Sequence, residues 1–243
     1  MEELGDLKNR GVKEIHFGDA SFGYPKENAE KILRGMIDAS FGFQWSSYIH
    51  PLQPSAAMFD LIQKSGCHTL VFGIDSADES LLASFGRNVR CEELSRFVVE
   101  CKKRGLSLCG DVMLGFPGET LESCRRTLEF AQGLGIDFIS INFASPLMGS
   151  ALRSQSVDEG TLMPDQHGFH TLAPGNGEID RSSLLRLRRQ ALRSFYLRPS
   201  YLLRQLLRVG SVEAASIRMN EALGVFSKKG QEAWAGNLQT RRT

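Results

Sequence analysis

The residues of this 243-residue chain that could do chemistry sit where its apolar runs stop. The clearest case is Ser107 to Thr120, where Val112-Met113-Leu114 runs into Gly115-Phe116-Pro117-Gly118 and then Glu119-Thr120. Its apolar density predicts a strand covered on both faces, and glycine and proline at that spacing bend a backbone sharply. Thr120 is a good N-cap, with Glu122 and Ser123 in the first turn. A helix opening there directs its positive end and its free N–H groups at whatever occupies the turn. Polar or turn-forming tips recur at Gly18-Asp19, Ser46-Ser47, Asp75-Ser76 and Ser145-Pro146.

Metal chemistry has less support. The cysteines, Cys67, Cys91, Cys101, Cys109 and Cys124, are separated by 24, 10, 8 and 15 residues. No spacing matches the close pairs that hold zinc or an iron-sulfur cluster, and an odd, scattered set argues against a disulfide framework. All five read as small buried hydrophobes. His167 and His170 have a spacing a metal can use, without a nearby cysteine or acidic helix partner.

The elements that position these tips alternate. Glu2 to Arg10, Lys26 to Ser40, Ser55 to Ser65, Glu92 to Arg104 and Leu121 to Gly133 read as helices. Strands are expected to start near 12, 43, 69, 107 and 137. That rhythm is the βαβ repeat of a parallel α/β sheet, in which every strand tip lies on one edge. With 42% hydrophobic residues the chain can bury a core. No window reaches the roughly 18 apolar residues of a membrane span, and the acidic start is no signal peptide, which gives the cytoplasm as the expected location.

Residues 153–180 read as a loop or linker. Beyond them the composition changes: between Arg181 and Arg208 lie eight arginines and no acidic residue, so that stretch carries +8 and the remainder −7. Helices are expected over Arg181 to Leu197 and Tyr201 to Val209, with leucines on one face and Arg186, Arg189 and Arg193 on another. A solvated or partner-docking face is the plain reading. Contact with an anionic membrane surface or with nucleic acid is the sharper one.

These pieces, in this order, resemble the cobalamin-binding radical S-adenosylmethionine enzymes. The resemblance runs through Gly11-Val12-Lys13-Glu14-Ile15, Gly18-Asp19-Ala20-Ser21-Phe22, Trp45-Ser46-Ser47 and Ser65-Gly66-Cys67. It continues through Phe72-Gly73-Ile74-Asp75-Ser76, Met113 to Thr120, Ser145 to Ser150 and Phe195-Tyr196-Leu197-Arg198-Pro199. It implies a partial (β/α) barrel over 1–152, a linker over 153–180 and an arginine-rich helical region over 181–243. The implied cofactors are S-adenosylmethionine and a 4Fe-4S cluster, with cobalamin carried by a preceding domain. The implied substrate is a small molecule, lipid-like or tetrapyrrole-like.

By position, the resemblance assigns Asp19 to the methionine amino group and Asp75 and Ser76 to the ribose hydroxyls. It assigns Gly115 and Pro117 to the adenine wall, and Glu119 to bracing that turn. The C-x₃-C-x₂-C cluster loop that family members carry after their first strand is absent from these residues. The first strand here corresponds to the family's second. The expectation is therefore the C-terminal portion of such an enzyme, inactive alone and partnered by its N-terminal portion. A non-catalytic α/β domain that docks a partner through its arginine face is the alternative.

Overall fold

Alternation builds the centre of the molecule. In Cys67–Asp75 (β3), Leu70, Phe72 and Ile74 share one face and are buried. In Ser107–Leu114 (β4), Leu108, Val112 and Leu114 do the same. The computed structural model describes residues 1–52, 54–158, 160, 179–199 and 201–203. Around β3 and β4 stand Glu14–Phe17 (β1), Gln44–Tyr48 (β2) and Phe138–Phe143 (β5). All neighbouring pairs are parallel, in the order β1-β2-β3-β4-β5. Consecutive parallel strands each need a crossover, so all five C-terminal ends meet one edge.

The crossovers are helical. Glu2–Asn9 (α1) leads into β1, Lys26–Asp38 (α2) joins β1 to β2, and Ala56–Lys64 (α3) joins β2 to β3. Glu79–Ser84 (α4) and Cys91–Lys103 (α5) join β3 to β4, and Leu121–Gly133 (α6) joins β4 to β5. The strand starts fall within two residues of those expected. Helix α3 begins at the N-cap Ser55, whose hydroxyl accepts from the Met58 N–H at 3.3 Å. Two polar ties fix the sheet within its apolar layer. The Trp45 indole N–H reaches the Ser65 carbonyl and hydroxyl, both at 3.1 Å, and the Asp137 carboxylate takes the Leu108 N–H at 3.0 Å. Such buried groups are costly unless bonded.

Three expectations need correction. Strand β4 is not covered on both faces, because Cys109, Asp111 and Met113 point to a partly open side. Their apolar neighbours made the run look continuous. Residues expected to open the linker instead lie in a helix, Ala151–Asp158 (α7), stopped close to Gly160. Of the five cysteines, all free, Cys67, Cys101 and Cys124 are buried but Cys91 and Cys109 are only half-buried. Helix α4 was not expected. It is a single six-residue piece, too short for periodicity to reveal, and Asp78 caps it by accepting from the Leu81 N–H at 3.1 Å.

Helix Arg181–Tyr196 (α8) buries Leu184, Leu187, Leu192 and Phe195 and exposes Arg186, Arg189 and Arg193. Arg188 is half-buried and lies 5.7 Å above the Phe143 ring, and loss of water around it lowers its pKa. The chain divides into two compact units, Met1–Arg189 and Gln190–Thr243. In the second, Phe195, Tyr196 and Tyr201 form an aromatic cluster and Arg198 lies 4.1 Å over Phe195. His167, His170 and most of the helix expected after Tyr201 lie outside the described residues. Among the described residues no helix is long and apolar enough to cross a membrane.

Candidate functional site

At the C-terminal edge of the sheet the half-open face forms a cavity of about 210 Å³. Ala20, Ser21 and His50 reach it from the loops after β1 and β2, and Tyr48, Val71, Gly73, Asp111, Met113 and Asn142 from four strands. Asp75 and Arg87 complete its charged wall.

Asp75 ends β3 in the left-handed region, with φ of 54°, which aspartate tolerates better than most residues. Its carboxylate is ion-paired with the Arg87 guanidinium, which also donates to the Gly73 carbonyl at 3.0 Å. That second bond requires glycine at 73, since a Cβ there would stand 2.5 Å from Arg87 Nη2. Burial raises the Asp75 carboxyl above the usual range, with Arg87 and His50 acting against it. Asp111 is raised too, by burial first and by the neighbouring Asp75, while a hydrogen bond from Ser140 opposes the shift. The Asn142 amide donates to the Ser140 hydroxyl at 3.0 Å. The His50 pKa is lowered by burial and then by Arg87, and its Nδ1 accepts from the Leu52 N–H at 3.3 Å. A neutral imidazole protonated at Nε2 meets both conditions.

The residues expected from the sequence fall into four groups, the last of them the turn after β4. Asp75 is in the cavity wall. Asp19 is exposed on the loop after β1, one residue before Ala20, which lines the cavity. Ser76 is 1% exposed and turned away from the cavity. Its hydroxyl lies 3.3 Å from that of Thr127 on α6, which also accepts from the Ala77 N–H at 3.0 Å.

The turn after β4 is closed on itself. Gly115 and Gly118 take φ of 84° and 80°, open to glycine at little cost. The Glu119 carboxylate then accepts from the Gly115 N–H at 2.6 Å and from the Phe116 N–H at 3.0 Å. Burial still holds its pKa above the ordinary value. Thr120 and Ser123 cap each other, at 3.0 and 3.1 Å, so the occupant of this turn is the chain's own carboxylate. Pro117 is half-buried within it.

Arg87, Asp111, His50, Tyr48 and Asn142 were not found from the sequence. Asp111, Asn142 and Tyr48 are period-two partners of apolar residues, a signal that becomes legible only once the packed face is known. Arg87 and His50 lie in loops, where no period exists.

A helix-covered parallel sheet with a charged cavity at its C-terminal edge defines an α/β protein with its site where such folds place one. Comparison with known proteins sharpens this. The Radical SAM superfamily profile matches residues 1–131, more than half of the chain, and the chain belongs to that superfamily. An uncharacterized methyltransferase of Pyrococcus horikoshii is 30% identical over 212 residues, covering 85% of this chain and 46% of the relative.

Among solved structures, coproporphyrinogen III oxidase from Escherichia coli, a radical SAM enzyme, matches 79% of this chain and 44% of its own. Its TM-score is 0.57 and its identity 15%. The methyltransferase TsrM from Kitasatospora setae, solved with cobalamin and a 4Fe-4S cluster, matches 58% of this chain and 29% of its own. Its TM-score is 0.55 and its identity 22%. These likenesses support the fold. The chain spans less than half the length of the curated relative and of both solved chains.

Proposed function

We propose that this chain supplies the S-adenosylmethionine-binding part of a radical methyltransferase. The observation that carries the reading is the convergence of Arg87, Asp75 and Asp111 in one cavity at the C-terminal edge of the sheet. The cofactor presents a carboxylate, an ammonium, a sulfonium and a ribose diol. A guanidinium suits the first, and carboxylates suit the other three. Asp75 and Asp111 would hold the ribose hydroxyls or the cationic groups, Arg87 the methionine carboxylate, and Asp19 the ammonium at the rim. Gly115 and Pro117 would border the adenine, behind a turn fixed by Glu119. Ser76 would act only through α6.

The cluster is a different matter. Among the described residues no group of three His, Cys, Asp or Glu side chains could hold a metal ion, and the sequence has no C-x₃-C-x₂-C. These residues do not fit a 4Fe-4S cluster, so its cysteines belong to polypeptide outside them, and turnover requires that partner portion. Cobalamin enters on the same footing, through the solved TsrM structure. A cytoplasmic setting suits an oxygen-sensitive cluster.

Calorimetric titration with S-adenosylhomocysteine, which needs no cluster, tests the reading. The chain is expected to bind it, and Asp75→Ala is expected to weaken binding about ten-fold, the scale of one lost charge-assisted hydrogen bond. Absence of binding to the folded wild-type chain overturns it.

A further inference from the structure

Running from the cavity wall across the same open face is a feature that cofactor binding leaves unexplained. Strand register places Tyr48 beside Val71, Val71 beside Cys109 and Cys109 beside Phe138. These four residues make one rung across β2, β3, β4 and β5. Its two ends are aromatic and exposed, Tyr48 by 42% and Phe138 by 39%. On the packed face, Trp45, Phe72 and Ile74 are almost fully buried. An aromatic side chain left open to water on the site-bearing face of a sheet is apolar surface without its usual partner.

The rung is built to present those rings. Tyr48 lines the cavity, and its ring meets the edge of His16 at 5.9 Å and 78°. The Ser46 hydroxyl, 2.9 Å from His16 Nδ1, fixes that imidazole in turn. Between the two aromatic ends the floor is low and uncharged. Val71 is small, and burial pushes the Cys109 thiol up to about 12, so it stays protonated. Asp111, Ser140 and Asn142 stand one or two rungs above, toward the cavity mouth.

Three strand spacings separate Tyr48 from Phe138, about 14 Å along the sheet. Subtracting about 3.5 Å of van der Waals contact at each end leaves about 7 Å, the length of one fused two-ring system. Aromatic pairs favour the offset and edge-to-face contacts that such a seat offers.

We infer that this rung is a substrate subsite for a flat aromatic ring system of about two fused rings, seated over Val71 and Cys109 with Tyr48 and Phe138 at its edges. The inference rests on the cofactor reading above for the identity of the cavity, and it narrows the substrate class. The polar groups overhead favour a ring bearing nitrogen or oxygen over a bare hydrocarbon.

The test uses the full chain saturated with S-adenosylhomocysteine. Indole and phenol serve as flat probes and cyclohexanol as the puckered control, each followed by ligand-observed saturation-transfer NMR. The flat probes are expected to bind at least several-fold tighter than cyclohexanol. Phe138→Leu and Tyr48→Leu, which keep apolar area and remove the ring, are each expected to weaken the flat probes about five-fold. Phe138→Leu should leave the affinity for S-adenosylhomocysteine unchanged.

Equal binding of phenol and cyclohexanol overturns the inference, as do folded variants that bind indole like the wild type. Flat-ring selectivity in a chain that fails to bind S-adenosylhomocysteine supports the subsite and removes the cofactor reading, so the two failures are distinguishable.

Discussion

The two faces of one sheet differ more than any two segments of the chain. On the packed face Leu70, Phe72, Ile74, Leu108, Val112 and Leu114 are shut away under helices. On the open face of the same sheet stand Tyr48, Asp111 and Asn142, with Asp75 at the end of β3, all lining the cavity. Successive side chains point to opposite sides, so one strand serves stability and chemistry through alternate residues. The contrast predicts that substitutions on the two faces act on different observables and, at one position, with opposite sign.

The largest effect belongs to the packed face. Phe72→Ala removes a buried ring that contacts Phe97 at 5.0 Å and should cost about 4 kcal/mol of stability in urea denaturation. Any folded fraction should still bind S-adenosylhomocysteine. Loss of binding without loss of stability would break the division.

Glu119→Ala strands two backbone donors at the turn and should cost about 3 kcal/mol in the same measurement. Glu119→Gln, which keeps an acceptor oxygen, should cost less than half as much. Equal costs would show that charge, not the two hydrogen bonds, holds the turn.

Asp111→Asn sharpens the comparison, because its two readouts should move apart. Burial raises the folded-state pKa, so the ionised carboxylate disfavours folding at neutral pH and the protonated one does not. The stability Asp111 allows is therefore fully present below the ordinary aspartate range and is lost as pH rises through the raised value. Asp111→Asn should melt a few degrees higher than the wild type at pH 7, with the gap closing as pH falls, while its affinity for S-adenosylhomocysteine drops about ten-fold. A variant that melts lower at neutral pH would place Asp111 among the structural residues.

The same contrast explains what the sequence disclosed. Leu70, Phe72 and Ile74 against Thr69, Val71 and Gly73 give a strand with a definite inside, and five such runs separated by helices specify parallel pairing. The open face obeys no rule of composition. Val71 and Met113 stand there beside Asp111, so the apolar count hid the aspartate. Family resemblance reached Asp75 because it ends a strand. It passed over Arg87, which arrives from a loop after α4 and is tied to the site only by folding.

The turn after β4 has one more consequence. It has the glycine-rich, strand-to-helix form of a phosphate loop, yet Glu119 has already taken the Gly115 and Phe116 amides. A phosphate arriving there would find those two donors already engaged.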